Sequence, residues 1–500
     1  MSQLRIGAVL SYLNILVTLI IGLVYTPVMI RFLGQSEYGL YALIGSIAAY
    51  FSVLDLGLGN SIVRYLSRNR VDKRKELESK LIGTFLLLFS FVSAITIITG
   101  LLITFNLDNI FSSTLSSEEI YKGKIMVLIL TANFALSFPL SVFSSILVAY
   151  ERFSVEKSVA ILRILLAPLI SLPFLMMGYG SIMLVLITTI VNISTLLYVM
   201  IYAIKKLKIS IRLTFVDRQV LLEIFGYSFF IFLNIIVDQL FWKTDQIILG
   251  VVSGTVTVAV YAIAMHFITI YKKFSTAISN LFLPKLSMMV ANEATDKEIS
   301  DVMIRYGRVQ YILIGLILSG FIIFGDFFIV KWAGEDYYFA YYFVLIIMIP
   351  LTVPLIQNIG IAILQAKNQI KFRAILYLII AILNIIVSIP LAKIYGGFGT
   401  ASITAITMII GHIIIMNIYY QKRAGINIVK FWKNILQLTV PNVIITTITY
   451  YILTFNDISS IIEWLLYVLL FSLLYLITLW FTAMNQYEKR LISSIFDKFK

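Results

Sequence analysis

The chain has 500 residues, 60% of them hydrophobic, with a mean hydropathy of +0.97 and a formal net charge of +14. Only 13% of the residues are charged, about half the usual share of a soluble domain, which excludes a water-soluble fold. The sequence contains no cysteine, which excludes disulfides, thiolate metal sites and cysteine nucleophiles. The positive charge is therefore interpreted as loop charge that sets orientation in a membrane, not as a nucleic-acid-binding surface.

Apolar segments long enough to cross a bilayer, which takes about 20 mostly apolar residues each, recur along the whole chain. They predict an all-α, polytopic membrane protein. The first is interpreted as a transmembrane helix because it is too long for a signal peptide and lacks a small-residue cleavage pattern. In chain order, the fourteen candidate spans are 8–32, 38–66, 80–106, 123–150, 155–177, 181–204, 222–249, 255–288, 302–324, 338–365, 371–392, 399–420, 431–454 and 461–484.

The connections between spans alternate between basic and nearly uncharged. The connections after spans two, six and twelve are rich in lysine and arginine, whereas "MGYGS" after span five and "GVVSGTV" after span seven carry no charge. The positive-inside rule places the basic connections, and with them both termini, in the cytoplasm. The connections are short on both sides, so no extramembrane domain is expected.

The sequence repeats itself. "LGQSEYGLYAL" after span one resembles "VSGTVTVAVYAI" after span seven at an offset of 220 residues, which pairs Gly34 with Gly254 and Asn60 with Asn280. Independently, "GYGS" at 178–181 resembles "GFGT" at 397–400 at an offset of 219 residues. Each half holds an even number of spans, so the repeat is parallel, with a site expected between the halves.

This repeat predicts two six-helix lobes and a C-terminal addition. The first lobe is expected in residues 1–210 and the second in residues 211–425. Residues 426–500 are expected to hold two additional helices and a cytoplasmic tail.

Motifs for catalysis or metal binding are absent from the sequence. There is no G-x-x-x-x-G-K-[ST] and no H-E-x-x-H, and the only histidines are His266 and His412. The residues offer no metal cluster and no Ser/His/Asp set that can be argued from spacing. Neither an enzyme activity nor a cofactor is expected.

Ionisable residues well inside spans are the candidate functional residues, because a charge at membrane depth is costly. They are Asp55, Arg163, Asp238, Lys243, Asp245, Lys272 and Lys273. Four basic against three acidic residues slightly favours an anionic passenger.

Most of these residues also have a structural interpretation. Asp55 could bond to a neighbouring helix near the "GLG" kink and hold the bundle together instead of taking part in transport. Lys243 and Asp245 could reach the outer interface, and Arg163 could extend to the cytoplasmic surface. His266 is interpreted as a satisfied polar core residue.

The seventh span carries polar residues on two stripes. At 100° per residue, Asn234, Asp238 and Asp245 share one stripe, and Gln239, Lys243 and Gln246 share another. This helix is therefore expected to face protein or water along much of its surface. In the eighth span, the adjacent Lys272 and Lys273 point 100° apart, so they cannot both face one narrow site.

The segment "TLIIGLVYTPVMIRFLGQSEYGLYALIGSIAAYFSVLDLGLGNSIVRYLS" resembles bacterial Wzx-type polysaccharide flippases. These belong to the multidrug/oligosaccharidyl-lipid/polysaccharide exporter superfamily. The resembling features are "FLG-x-x-x-YG-x-Y" and "D-x-G" followed by "R-x-x-S". In the second half, "TDQIILG", "VYAIA" and "LPKLS" agree with such proteins. The resemblance covers spans one to twelve, and two added helices also occur in members.

The resemblance implies a fold like that of the multidrug and toxin extruders (MATE), with a V-shaped cleft lined by helices one, two, seven and eight. It implies a flippase that moves a polyprenyl-diphosphate-linked oligosaccharide from the inner to the outer leaflet of the cytoplasmic membrane by alternating access. H⁺ or Na⁺ is the expected coupling ion, and a glycan polymerase is a candidate partner.

Candidate residues are assigned to two roles in this cleft. The candidates for substrate contact are Arg31, Arg163, Lys243 and Lys272, and the candidates for coupling or ion pairing are Asp55, Asp238 and Asp245. Asp55 is hypothesised to pair with Lys272, since the 220-residue offset maps Asp55 to Ser275, one helical turn from Lys272.

Other interpretations stay open at this point. A cation-coupled multidrug exporter of the same fold predicts an acidic cleft, which the mixed charge disfavours. A lipid II flippase shares fourteen spans and a cationic cleft. A membrane enzyme such as a glycan polymerase usually needs a larger outer loop than the sequence offers.

Overall fold

The computed structural model describes residues 3–71, 75–279, 286, 288–289, 292–455, 458 and 460–497. Within these ranges the ordered elements are helices, and no β-strand occurs. Twelve helical segments of the described residues are long and apolar enough to cross a membrane. Two of them, Arg218–Thr276 and Ile370–Lys422, are each broken at a glycine and contain two spans. The predicted all-α fold with fourteen spans is confirmed.

The first six spans are built from seven helices, because the second span is interrupted. The helices are α1 (Gln3–Leu33), α2 (Gln35–Ala49), α3 (Leu58–Val71), α4 (Lys75–Phe111), α5 (Ser117–Ala149), α6 (Phe153–Met176) and α7 (Ser181–Leu207). A 3₁₀ turn, Tyr50–Asp55, separates α2 from α3. The span predicted at 38–66 is present, and its interruption lies beside the predicted "GLG" kink.

The remaining spans begin with the long helix α8, Arg218–Ser279, which breaks at Gly254 into spans seven and eight. Span eight was predicted to reach residue 288, and its last part lies outside the described residues. The later helices are α9 (Asp296–Ala333), α10 (Phe339–Ile356), α11 (Ile359–Ala366), α12 (Ile370–Met408), α13 (Met416–Lys422), α14 (Ile428–Leu453), α15 (Ile461–Thr482) and α16 (Gln486–Asp497). A π-helical segment, Ile409–Ile415, joins α12 to α13.

Backbone conformation supports the internal repeat at its best-matched position. Gly34 has φ 74° and ψ 171°, and Gly254 has φ 79° and ψ −179°. Both glycines precede a helix, and this positive-φ conformation is one that residues with a Cβ rarely adopt. The other repeat partner quoted above, Asn280, lies outside the described residues.

Contacts divide the chain into two compact units, Met1–Ala259 and Val260–Lys500. The division falls within α8, so the seventh span packs with the first unit, whereas the predicted lobes divide at residue 210. The predicted lobes follow the sequence repeat, and their boundaries stay a prediction.

Polar contacts near the N-terminal ends of three helices hold part of the first unit together. The Glu37 carboxylate of α2 accepts hydrogen bonds from the Ser181 backbone N–H (2.6 Å) and hydroxyl (3.0 Å) at the start of α7. Lys122 of α5 lies 3.2 Å from the same carboxylate. Glu37 therefore ties α2, α5 and α7 together on the side that the charge bias predicts to be outside.

Candidate functional site

Asp55 lies at the interruption of the second span. The backbone turns through two left-handed residues, Leu56 (φ 52°) and Gly57 (φ 74°), before α3 begins. The Asp55 carboxylate accepts hydrogen bonds from the backbone N–H groups of Gly57 and Gly59. These are donors that a helix start leaves without an intrahelical partner. Asp55 therefore caps α3, which is a structural role near the "GLG" kink. Its partners lie on its own chain segment, not on a neighbouring helix as the structural interpretation expects.

Gly57 is required at this interruption for a second reason. A Cβ at Gly57 would lie 2.7 Å from the Cβ of Ile231 and 2.8 Å from the carbonyl oxygen of Ser228. The hydroxyls of Ser61 and Ser228 share a hydrogen bond of 2.7 Å one turn further on. The interruption therefore lets the second span approach α8 closely within the first unit.

Arg163 lines a polar cavity inside the first unit. The cavity, about 510 Å³ in volume, lies among α5, α6 and α7. The Arg163 Nε donates a hydrogen bond of 3.0 Å to the Thr195 hydroxyl. The Asn192 amide donates at 2.8 Å to both Asn133 and Ser137. The cavity thus offers one guanidinium, with amides and hydroxyls around it.

The lining of this cavity also includes a carboxylate. Glu156 lines it, and its charge acts on Arg163 two helical turns along α6. Lys157 lies 3.1 Å from the same carboxylate. The lining therefore carries one positive charge, Arg163, and one negative charge, Glu156, which Lys157 pairs from outside the lining. Arg163 can bind an oxyanion while the amides and hydroxyls bind neutral polar groups.

The seventh span buries part of its polar surface, as the stripe pattern predicts. Asp245 is 3% exposed and Gln246 is 5% exposed. The Ser46 hydroxyl donates a hydrogen bond to the Gln246 side chain, and the hydroxyls of Tyr50 and Thr244 share another. This part of α8 therefore packs against α2 and the 3₁₀ turn within the first unit.

Asp238 and Lys243 lie nearer to the start of the same span. Asp238 is exposed and Lys243 is half-buried. The Asp238 carboxylate is close enough for its charge to act on Lys243. Arg31, in the last turn of α1, is exposed. The structure thus places the candidate residues of the first unit in several different surroundings instead of one cluster.

Lys272 and Lys273 have different electrostatic neighbours, as their 100° separation predicts. The Lys272 charge acts on His412, and the Lys273 charge acts on His266. The His266 ring stacks on Trp332, with ring centroids 5.8 Å apart. His266 therefore packs in an aromatic cluster as a core residue, but its buried Nε2 has no hydrogen-bond partner among the described residues, so the interpretation that it is satisfied was wrong.

Sequence reasoning missed Arg373 and Tyr377, which accompany Lys272 and His412 in the second unit. The Arg373 guanidinium lies 4.3 Å from the centre of the Tyr377 ring, and that ring stacks on His412 at 3.9 Å. Arg373 lies near the predicted end of a span, where an arginine is readily explained as an interface anchor. A histidine one helix away was the only signal that could have drawn attention to it.

The hypothesised pair of Asp55 and Lys272 stays a prediction, because the two residues belong to different units. No group of three or more His, Asp or Glu side chains suited to a metal ion occurs among the described residues.

Comparisons with known proteins identify the family. The sequence profile of the family described as "Polysaccharide biosynthesis protein" matches residues 5–290, more than half of the chain. No curated protein sequence matches the chain at a significant level.

Solved structures share the fold at low sequence identity. The lipid II flippase MurJ in an inward closed conformation has a TM-score of 0.73 at 18% identity, covering 94% of this chain and 97% of that chain. The MATE multidrug transporter DinF-BH has a TM-score of 0.60 at 15% identity, covering 84% of this chain and 96% of that chain. A MOP superfamily transporter from Pyrococcus furiosus has a TM-score of 0.55 at 14% identity, covering 85% and 94%.

At these identities the structures establish the fold, and the sequence profile establishes the family. Two findings agree: a profile that spans the first eight predicted spans, and a fold that extends over nearly the whole chain. The chain therefore belongs to the polysaccharide biosynthesis protein family and is a multi-pass membrane protein with the fold of the MurJ and MATE transporters.

Proposed function

We propose that this protein is a transporter that moves a polyprenyl-diphosphate-linked oligosaccharide from the inner to the outer leaflet of the cytoplasmic membrane. The transported glycan is then used to build a surface polysaccharide. The observation that carries the proposal is the Arg163 cavity, a polar site within the helical bundle of a chain that belongs to this family. The protein acts as a carrier and performs no covalent chemistry on its cargo.

The physical problem that such a transporter solves is the transfer of a charged, hydrated head group through hydrocarbon. Unpaired polar groups and charges are costly in that medium. Arginine binds phosphate through paired, charge-assisted hydrogen bonds, and amides and hydroxyls can replace water around sugar hydroxyls. The Arg163 cavity combines these groups.

The sequence candidates are assigned roles on this basis. Arg31, Arg163, Lys243 and Lys272 contact the anionic cargo along its path. Asp55, Asp238 and Asp245 take part in ion pairs or in coupling to H⁺ or Na⁺. Both termini lie in the cytoplasm, and the protein works beside a glycan polymerase.

A lipid II flippase is the second candidate function. The fold similarity to MurJ, with a TM-score of 0.73 over 94% of this chain, favours it. Lipid II also carries a polyprenyl diphosphate, so the two candidates differ in the sugar and in the polymer that its loss would remove. The similarity to the multidrug transporter DinF-BH keeps an exporter as a third outcome of the test.

A clean deletion tests the proposal. Loss of the protein is expected to leave lipid-linked glycan on the inner leaflet and to remove the surface polysaccharide. Arrest of peptidoglycan synthesis would identify the lipid II flippase instead. Intact surface glycan with new sensitivity to cationic drugs would identify the exporter.

Complementation tests the Arg163 cavity. Arg163→Gln is expected to restore surface polysaccharide poorly at normal protein level in the membrane. Lys205→Gln is the matched control, because it removes one positive charge from an exposed position on α7. If the two variants complement equally well, the cavity does not carry the cargo.

A further inference from the structure

Arg373 is an arginine in a membrane-spanning segment that lacks an acceptor for its guanidinium. It makes no hydrogen bond and no ion pair with any residue that the structure describes, and its Nε is buried. A guanidinium carries five N–H donors. The Nε donor is buried without an acceptor, which is costly, so the arrangement favours an acceptor from outside the chain at this side of the guanidinium.

Arg308, in the same unit, is a buried arginine with a structural role and serves as a comparison for Arg373. Its Nε lies 2.6 Å from the Glu488 carboxylate, and it donates to the carbonyl oxygens of Asn434 (2.6 Å) and Ala483 (2.7 Å). Its side chain is 2% exposed. The chain therefore satisfies this buried guanidinium fully, and Arg373 differs from it by having none of these acceptors.

Two aromatic rings hold Arg373 in position. The guanidinium lies 4.3 Å from the Tyr377 ring centre, a favourable cation–π distance. The Tyr377 ring lies 3.9 Å from His412, with 7° between the ring planes. The stacked rings thus orient the Arg373 guanidinium and leave its N–H donors available for a ligand.

The backbone at His412 is specialised for this stack. His412 lies in the π-helical segment Ile409–Ile415, and such segments are frequent at functional sites. At the neighbouring Gly411, a Cβ would lie 2.5 Å from Cγ1 of Ile380 on α12. The close approach of the two helices therefore depends on a glycine next to the histidine.

Two helices contribute positive charge near His412. Lys272 of α8 and Arg373 of α12 are the two charges that act on His412. Arg373, Tyr377, His412 and Lys272 are all half-buried, so the group is shielded without being sealed.

We propose that the second unit contains an oxyanion-binding site, in which Arg373 and Lys272 bind a phosphate or carboxylate group of the cargo. Tyr377 and His412 are positioning residues that orient the Arg373 guanidinium. The identity of the ligand rests on the proposed function, because a polyprenyl-diphosphate glycan supplies such groups either in its diphosphate or in an acidic sugar.

Calorimetric titration of the purified full-length protein tests the site, with inorganic pyrophosphate and glucuronate as separate probes. Arg373→Gln is expected to weaken binding of the preferred probe by roughly 10- to 150-fold, the usual effect of losing hydrogen bonds to a charged group. Lys371→Gln is the matched control, because Lys371 is exposed on the same helix two residues away. Loss of pyrophosphate binding alone assigns the diphosphate, and loss of glucuronate binding alone assigns an acidic sugar.

Two further variants separate binding from folding and positioning. Arg373→Lys keeps the charge but not the fork of donors, and it is expected to bind with intermediate affinity. His412→Phe keeps a ring for Tyr377 and is expected to retain binding, whereas His412→Ala is expected to lose part of it. If His412→Phe and His412→Ala lose binding equally, His412 is not a positioning residue.

The site assignment is wrong if wild type binds neither probe, or if Arg373→Gln binds both probes as Lys371→Gln does. A second assay, which measures flipping of lipid-linked glycan in vesicles, distinguishes failure of the site from failure of the proposed function. Pyrophosphate binding through Arg373 without glycan flipping contradicts the function and leaves the site intact. Normal flipping with unchanged binding in Arg373→Gln contradicts the site alone.

Discussion

Asp55 ends the 3₁₀ turn that interrupts the second span, and its carboxylate accepts hydrogen bonds from Gly57 and Gly59. A capping side chain needs an acceptor oxygen but not a full charge. A coupling residue, in contrast, needs a group that can bind and release a cation. The two roles of Asp55 therefore respond differently to the same pair of substitutions.

Asp55→Ala is expected to lower the free energy of unfolding by about 0.5–2 kcal/mol, because α3 loses its cap. Asp55→Asn keeps an acceptor oxygen and is expected to retain most of the stability. Thermal unfolding in detergent measures both variants. Asp55→Asn that is as unstable as Asp55→Ala would contradict the capping role.

The same Asp55→Asn variant tests the coupling role in a flipping assay. A stable variant that transports normally removes Asp55 from the coupling candidates and from the hypothesised pair with Lys272. A stable variant that does not transport means that the charge itself is needed.

The sequence predicts the candidate functional residues better than it predicts their contacts. An aspartate inside an apolar span is conspicuous, as Asp55 shows. Its bonding partners depend on left-handed backbone at Leu56, and a leucine gives no signal for that conformation. Arg373 was missed because the end of a span is where an arginine is expected to reach water.

At the scale of helices, close approach in the first unit depends on small residues. A Cβ at Gly39 of α2 would lie 1.9 Å from the carbonyl oxygen of Thr255. Gly45, on the same helix, has nothing within 4 Å of the same position. Helix contacts in membranes commonly rely on such small residues to bring backbones together.

Gly39→Ala is expected to destabilise the protein by about 1–3 kcal/mol or more, because the obstructing atom belongs to the backbone. Gly45→Ala is expected to be neutral or stabilising by up to about 1 kcal/mol, since alanine has the higher helix propensity. Thermal unfolding of the two variants side by side measures the difference. Equal midpoints would mean that α2 and Thr255 are not in close contact.

A buried ion pair ties three helices of the second unit together. Arg308 of α9 pairs with Glu488 of α16, and both side chains are almost fully buried, at 2% and 1% exposure. Arg308 also donates to the Asn434 carbonyl of α14. The Glu488 carboxylate thereby ties the C-terminal helix α16 to the bundle.

Glu488→Gln is expected to destabilise the second unit by about 3–5 kcal/mol, because it leaves Arg308 buried without its counter-charge. Asp301→Asn breaks the exposed pair with Lys430 and is expected to cost about 0–1 kcal/mol. Limited proteolysis near the C-terminus and thermal unfolding measure both. A Glu488→Gln protein as stable and as resistant as Asp301→Asn would contradict the role of the pair.

Hydropathy predicts the helices but not their irregularities. All fourteen spans were predicted, and the breaks at Gly254 and Gly396 fall in or next to the predicted turns. The 3₁₀ turn at Tyr50–Asp55 and the π-helical segment at Ile409–Ile415 were not predicted. Both change the hydrogen-bond register within mostly apolar sequence, so hydropathy does not reveal them.

At the scale of the whole molecule, the repeat and the charge pattern together predict the orientation of both halves in the membrane. Gly34 and Gly254 share a backbone conformation at positions 220 residues apart. Six spans lie between these glycines, so a parallel repeat places both on the same side of the membrane. The lysine and arginine bias places that side outside.

Four single cysteines test the orientation of both halves at once, because the chain has no cysteine of its own. Lys75→Cys and Arg423→Cys lie at exposed positions on the basic side, and Ser117→Cys and Glu335→Cys lie at exposed positions on the other. An impermeant maleimide applied to intact cells is expected to label Ser117→Cys and Glu335→Cys only. Lys75→Cys and Arg423→Cys are expected to react after the cells are made permeable.

The pattern of labelling separates two errors. If the impermeant reagent labels Lys75→Cys and Arg423→Cys in intact cells, the whole orientation is inverted and the charge argument fails. If it labels one cysteine of each half that should be on opposite sides, such as Ser117→Cys with Arg423→Cys, the halves are antiparallel and the repeat fails. A parallel repeat requires the two halves to agree, because an even number of spans returns the chain to the side from which it started.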